Sequence, residues 1–221
     1  MYEKYKGITD KKQRQLFIEI DREYKKATTK LKGEIELIVN DKGKTQRQKI
    51  NALQAILVAL WVVVGDKIIS HSKDVIGTTY AFYQYASVQL GNPLILPNKE
   101  ISNLIGKTIK KRTDIIKWNN VIRGNTKRLD KAVSKIVKDG IKNSKTPRQI
   151  QAELEKTMNM NRGKAKTIAR TESNFYKRAA KYDVGKRNEK IGNKIIKTWI
   201  YTGLSNEPRE AHKAANGLPV S

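Results

Sequence analysis

The chain has 221 residues, of which 38% are hydrophobic and 30% are charged, so it is long enough to bury a core beneath a highly polar surface. Lys and Arg number 46 against 21 Asp and Glu, which gives a formal net charge of +25. An excess of this size favours a polyanionic partner, and nucleic acid is the first candidate. The absence of cysteine excludes disulfides, thiolate nucleophiles and cysteine-ligated metals. The charged N-terminus predicts no secretory signal.

The first predicted element is a long amphipathic helix over residues 9–39, capped by Thr9 or Asp10, with apolar side chains at three- and four-residue steps. Residues 50–96 carry only four charged residues, and the run from Ala55 to Val64 is apolar on all sides. This run predicts a buried core helix. It is shorter than a membrane span requires, so lipid insertion of residues 50–69 is the minor alternative.

Polar and aromatic residues follow this run. His71 lies between Ser70 and Ser72, and we interpret it as a polar surface residue at a helix end. An aromatic group follows, and it consists of Tyr80, Phe82, Tyr83 and Tyr85. We interpret these rings as packing residues rather than as a stacking platform for single-stranded bases. Pro93 and Pro97 bracket an apolar triplet and predict a domain boundary near residue 97. We expect the triplet to be an extended arm, packed on its own core or on a neighbouring subunit.

From residue 98 to residue 150 the chain is strongly basic, with fifteen Lys or Arg against four Asp or Glu. Apolar residues near a heptad register, from Ile115 to Ile141, predict one or two helices with a buried seam, interrupted at Gly124 and Asn125. No helix-turn-helix or zinc module is recognisable, so we expect sequence-independent contact with phosphates. The predicted nucleic-acid-binding residues are Lys107, Lys110, Lys111, Arg112, Lys127, Arg128, Lys131 and Lys135.

A helix start is encoded by Thr146, Pro147 and Gln149, which have the spacing of a capping box with proline at the first helical position. We expect this helix to end near residues 159–161 and a second to run from about residue 162 to residue 184. Alternation from Lys194 to Tyr201 predicts a strand, followed by a turn and a short helix near residues 208–215. The predicted fold is therefore mainly α, with an N-terminal helical region that contains a buried apolar helix and a basic helical region that ends in a small α+β domain.

Four short motifs follow one another in the last part of the chain: Ile168 to Glu172, Lys197 with Trp199, Arg209 with His212, and Gly217 with Val220. In this order they resemble the phage head morphogenesis family, the minor head proteins typified by the F protein of phage Mu. The resemblance covers about the last ninety residues. Family domains usually continue past the final motif, whereas this sequence ends at Ser221, so we expect a shortened C-terminus. The motif residues with expected structural roles are Arg170, Thr171, Glu172, Trp199, Arg209, His212 and Gly217.

The resemblance implies a low-copy structural protein of the virion interior, present in the host cytoplasm during assembly. It implies association with the portal, the inner capsid and packaged double-stranded DNA, with a role in head morphogenesis or DNA ejection. A scaffold protein and transient membrane contact during ejection remain open as further partners. We expect no catalytic residue, metal or cofactor. The alternatives are a nuclease or toxin-carrier protein and a basic nucleic-acid-binding factor of the host.

The predicted domains are residues 1–97, a helical domain; residues 98–150, a basic connector; and residues 151–221, the minor head domain. Arg170 and Glu172 lie two residues apart on a helix and point in different directions, so each needs its own partner. We expect at least one of them to reach the unit around Trp199 or His212.

Overall fold

The structure, a computed structural model, describes residues 2–40, 43, 45–89 and 91–193. These residues form five α-helices and no strand. In chain order the helices are α1 (Tyr2–Asn40), α2 (Gln46–Gln89), α3 (Asn98–Ile115), α4 (Trp118–Lys142) and α5 (Pro147–Lys190). The prediction of a mainly helical protein is confirmed for this part of the chain.

The three long helices α1, α2 and α5 contact one another, and the shorter α3 and α4 pack on α2 and α5. One cluster of buried side chains is built from α1, α2, α4 and α5 around the fully buried Trp61 and Leu57. A second is built from α2, α3, α5 and the link before α3, around Ile76 and Tyr176. Both clusters contain side chains of α2 and α5, so these two helices connect the two halves of the core. The division into three domains stays a prediction.

Both N-terminal helices are longer than the sequence predicted. α1 begins at Tyr2, so the predicted cap at Thr9 or Asp10 is wrong; the Thr9 hydroxyl donates instead to the carbonyl of Lys6 at 2.9 Å. The helix end predicted at His71 is also wrong, because α2 continues to Gln89. His71 is buried against the fold rather than exposed. The helix tolerates buried hydroxyls here because each can donate to a carbonyl one turn earlier, as Ser72 does to Ile68 at 2.7 Å.

The apolar run of α2 is only partly buried, which corrects the prediction of a helix buried on all sides. Leu57 and Trp61 are fully covered, but Val58, Val62 and Val63 are 50%, 48% and 38% exposed. By length and composition alone, Ile50–Gln89 is the one helix in the described ranges that could cross a membrane. Core helices of soluble proteins pass the same test, and one side of α2 does form the core.

The apolar triplet between the prolines packs on its own core, as one of the two expected alternatives. Leu94 and Leu96 are buried in the second cluster, whereas Ile95 is 78% exposed. Its backbone is held by α2, because the Leu94 amide donates to Ser87 Oγ at 2.7 Å and the Leu96 amide donates to Gln84 Oε1 at 2.6 Å. The arm therefore closes the end of α2 and leads directly into α3.

The aromatic residues of α2 are mostly packing residues, as predicted. Tyr80 is fully buried. Phe82 stacks on Tyr5 of α1, with ring centroids 4.4 Å apart, and meets Tyr83 edge-on at 5.1 Å. Tyr85 is exposed. These rings fasten the start of α1 to the last turns of α2.

The interruption of the basic region lies between α3 and α4, not at Gly124 and Asn125. Lys117 adopts a left-handed conformation with φ of 49° and stands just before α4. Asn125 is buried within α4, where its side-chain amide donates to the carbonyl of Val121 at 2.8 Å. A buried asparagine that satisfies its own helix does not break it, and this is why the sequence signal was misleading.

The predicted seam is confirmed along most of α4. Leu129 and Val133 are buried in the first cluster. Three further seam residues are partly buried and pack against this cluster, and they are Trp118, Ile122 and Ile136. Ile115 and Ile141, at the two ends of the predicted seam, are exposed. The heptad pattern therefore describes one helix, α4, and not the whole basic region.

α5 is a single helix rather than the two predicted helices. Its start is confirmed as a capping box: the Gln149 amide donates to Thr146 Oγ1, and the Thr146 amide donates to Gln149 Oε1 at 2.9 Å. The end predicted near Asn161 is wrong. Asn161 is buried, and its side-chain oxygen accepts a hydrogen bond from the hydroxyl of Tyr24 on α1 at 2.7 Å. A tertiary partner thus offsets the weak helix propensity of this residue.

The predicted strand from Lys194 to Tyr201 and the short helix near residues 208–215 lie outside the described residues. Within the described part of the predicted minor head domain, the chain is the helix α5 followed by a short turn to Asn193.

Candidate nucleic-acid interface and motif helix

Five cations form a continuous stripe along α4: Arg128, Lys131, Lys135, Lys138 and Lys142, which we call the α4 stripe. They alternate at three- and four-residue steps, so they occupy one face of the helix, roughly opposite the buried Leu129 and Val133. All five are exposed. From Arg128 to Lys142 the helix rises by fourteen steps, or about 21 Å, which is the span of about twelve phosphate charges on duplex DNA.

The cations of the stripe are not paired with acids in the described part of the chain. Among the described residues, none of its five cations forms an ion pair with a carboxylate. Arg128 donates to the side chain of Asn125 at 2.9 Å, which leaves its charge uncompensated. Of the two acids of α4, Asp130 lies away from the stripe, whereas Asp139 borders it, four residues after Lys135 and three before Lys142. Within the described chain Asp139 forms no ion pair with either lysine, so the stripe carries an excess of positive charge.

The structure divides the predicted nucleic-acid-binding residues into three groups. Arg128, Lys131 and Lys135 belong to the stripe, and Lys127 is exposed beside it. The predicted lysines of α3 are also exposed, and they are Lys107, Lys110 and Lys111. The third group is Arg112 alone, whose guanidinium is bound within the protein.

Arg112 and Glu172 form a bidentate ion pair that joins α3 to α5. The guanidinium donates from Nε to Glu172 Oε2 at 3.0 Å and from Nη2 to Glu172 Oε1 at 2.9 Å. The side chains are 19% and 6% exposed, so the pair is largely withdrawn from water. Two parallel bonds to one carboxylate also fix the relative orientation of the two helices. The hydrogen bonds that the guanidinium donates to Glu172 raise the pKa of Arg112 above its ordinary value.

Aromatic rings complete the surroundings of this ion pair. The Arg112 guanidinium lies 4.1 Å from the centroid of the Phe175 ring, a distance at which cation–π attraction operates. Phe175 in turn meets Tyr176 edge-on at 5.5 Å. Burial, followed by the charge of Glu172, raises the pKa of Tyr176 to about 12. Tyr176 is thus neutral at physiological pH and acts as part of the core.

Arg170 and Thr171, which complete the motif triplet with Glu172, point away from this ion pair. Arg170 contacts α1, with its guanidinium 5.6 Å from the centroid of the Phe17 ring. Thr171 is exposed. The prediction that Arg170 and Glu172 need separate partners is therefore confirmed, and the partners within the described chain lie on α1 and α3. The expected contact with Trp199 or His212 stays a prediction, because both residues, together with Arg209 and Gly217, lie outside the described residues.

Further polar contacts along α5 hold α1 and α2 against it. Lys166 Nζ lies 2.7 Å from Asp21 Oδ1 of α1. Near the other end of α5, Asp183 accepts a hydrogen bond from the Tyr80 hydroxyl of α2 at 2.6 Å. α5, the motif helix that contains Ile168 to Glu172, therefore contacts each of the four other helices, as α2 also does.

No group of three or more His, Asp or Glu side chains that could hold a metal ion occurs in the part of the chain that the structure describes. His212 lies outside that part. The prediction that the protein has no catalytic, metal or cofactor site is therefore not tested by the described residues.

The motif helix lies within a part of the chain that matches a known protein family. Residues 131–221 match the family model of the phage Mu protein F like proteins. This F-like segment begins within α4, so it contains four of the five stripe cations and all of α5. The resemblance inferred from the motif order is confirmed. The family indicates a phage head-related protein.

The two other comparisons give no match. No curated protein and no solved structure is detectably similar to the chain. α1, α2 and α3 precede the F-like segment, so the family match does not extend to them.

Two functional features were not recognised from the sequence. Lys138 and Lys142 extend the stripe, and the same three- and four-residue periodicity that located the hydrophobic seam could have identified them. The ion pair between Arg112 and Glu172 joins residues sixty positions apart. No local pattern indicates a pairing at that separation, so only the fold could reveal it.

Proposed function

We propose that the chain is a low-copy structural protein of a phage head, without enzymatic activity, that lies in the virion interior near the portal and contacts packaged DNA without reading its sequence. The match of residues 131–221 to the phage Mu protein F like family supports the head assignment. It is the observation on which the proposal depends. Presence of the chain in purified particles, quantified by mass spectrometry, is the direct test, and its absence from particles would contradict the proposal.

The α4 stripe supports the DNA contact. Lysines that bind phosphates displace condensed counterions, so the affinity falls steeply with salt, with a logarithmic slope of about −0.9 for each phosphate neutralised. Replacement of Lys131, Lys135 and Lys138 by Gln should therefore make the slope shallower by about 2.7 if each contacts one phosphate. Fluorescence anisotropy with duplexes of unrelated sequence, over a series of salt concentrations, measures this slope.

A second triple variant controls for net charge. Lys4, Lys6 and Lys11 of α1 are exposed, and their replacement by Gln removes the same total charge from another helix. We expect this variant to retain most of the wild-type slope. Equal effects of the two triple variants would show that DNA senses only the net charge, and a strong preference for one duplex sequence would contradict phosphate recognition.

A further inference from the structure

An apolar surface between α1 and α2 is not used by the head or DNA proposals. Along α2, Ala55, Ala59 and Val63 are exposed to solvent. Together they form the floor of a groove of about 750 Å³ whose opposite wall is α1. Contiguous exposed apolar surface of this kind marks a binding site more often than scattered exposed residues do.

The wall that α1 contributes is basic. Arg22, Lys26 and Lys30 are exposed, and their four-residue spacing places them along one side of the helix, with Lys25 beside them. One acid lines the groove, Glu23, and Lys26 Nζ lies 3.5 Å from its Oε1. The groove therefore combines an apolar floor with a wall of net positive charge.

We propose that this α1–α2 groove binds an amphipathic helix of another protein, whose apolar face is flanked by acidic side chains. Ala55 and Ala59 lie one turn apart, and their small side chains permit a helix to approach α2 closely. An apolar stripe on the partner would cover Val63 and the two alanines, as in other complexes in which a helix lies in a hydrophobic groove. Glu or Asp beside that stripe would face Arg22, Lys26 and Lys30, which supplies orientation and specificity.

Two other occupants fit the groove less well. A second copy of this chain would bring another charge of +25 to an already basic wall, and like charges oppose such an association. A lipid bilayer would have to receive α2, yet the opposite side of α2 carries the fully buried Leu57, Trp61 and Val64. Insertion would separate these side chains from α1, α4 and α5 and expose that core to water.

The test uses three synthetic helical peptides with the same leucine face, each of about 18 residues, which is about five helical turns. Their flanking positions carry Glu in the first, Gln in the second and Lys in the third. Titration of the full chain, followed by fluorescence anisotropy, should give affinities in the order Glu, Gln, Lys. We expect at least about a tenfold difference between the Glu and Lys peptides. Binding of none of the three, or binding without this order, would overturn the proposal.

A pair of variants locates the site. Ala59→Arg places a long cation on the floor and should weaken binding of the Glu peptide by at least about tenfold, because the apolar contact is lost. Ala81→Arg makes the same change at another exposed position of α2 and should leave the affinity unchanged. Circular dichroism establishes that both variants keep the wild-type helix content. An equal effect of the two substitutions, or none, would contradict the proposed site.

A third variant acts on the wall without changing the floor. Lys26→Glu should reduce the preference for the Glu peptide over the Lys peptide, even if Ala59→Arg does not fold. Retention of the full preference would refute the role of the wall.

Anionic vesicles and sedimentation of the chain alone test the other occupants. Ala59-dependent binding to vesicles or dimerisation through Ala59, without peptide binding, would replace the proposed partner.

Discussion

The ion pair between Arg112 and Glu172 permits a quantitative test of how the motif helix is held. Arg112→Ala leaves the Glu172 carboxylate, whose side chain is 6% exposed, without its partner and also removes the contact with Phe175. Loss of one partner of a buried ion pair costs about 3–5 kcal/mol. Because the Arg112 side chain is 19% exposed, water can reach the site, and we expect the lower end, about 3 kcal/mol.

Glu172→Ala should cost less, about 2 kcal/mol, because the stranded guanidinium is nearer to water and retains the Phe175 ring. The double variant should lose about 3.5 kcal/mol, so the coupling between the two residues is about 1.5 kcal/mol. For a chain of this size, the Arg112→Ala variant should melt about 6–12 °C below the wild type.

Urea unfolding followed by far-UV circular dichroism gives all four free energies of unfolding needed for the double-mutant cycle. A coupling below about 0.5 kcal/mol would refute the view that the pair fastens α3 to α5. A Glu172→Ala variant that is less stable than Arg112→Ala would refute the argument that the more deeply buried charge is the costlier one to strand.

Three further predictions concern stability. Thr146→Ala removes the cap of α5 and should cost about 1 kcal/mol in chemical unfolding, whereas Thr146→Ser should be nearly neutral. In thermal unfolding, Gly140→Ala should lower the free energy of unfolding by about 1–3 kcal/mol, because the new methyl group would lie 2.6 Å from Ile150 Cγ1. Its control in the same helix is Gly124→Ala, whose methyl group meets no atom within 4 Å and should stabilise the protein. Burial lowers the pKa of His71, so this imidazole binds a proton more readily in the unfolded chain than in the folded one. The melting temperature should therefore fall as the pH drops below about 6.5. The fall should be smaller in the His71→Gln variant.

Periodicity predicted most of the helical architecture because burial of an apolar stripe imposes the helical repeat on the sequence. It predicted the faces of α1 and α4, and the capping box of Thr146 fixed the start of α5. It failed where polar residues are satisfied by partners. Asn161 and Asn125 were interpreted as interruptions, yet both are buried in continuous helices with hydrogen-bond partners.

The candidate sites show the same division between local and distant information. The α4 stripe is a local pattern, so all five of its cations belong to the basic segment that the sequence singled out, residues 98–150, and three were named individually. The partner of Glu172 is a distant residue, Arg112, which the sequence predicted to bind nucleic acid. The uncovered face of α2 was also missed, because an all-round apolar run does not reveal which side the rest of the fold leaves open.

Ultraviolet crosslinking inside intact virions, with mass spectrometry of the protein–nucleotide adducts, tests the head and DNA proposals together. We expect peptides of this chain to be present in the particles and nucleotide adducts to concentrate within residues 128–142, the α4 stripe. Absence of the chain from the particles would contradict the assignment to the head. Presence of the chain with adducts confined to other helices would contradict the role of the stripe.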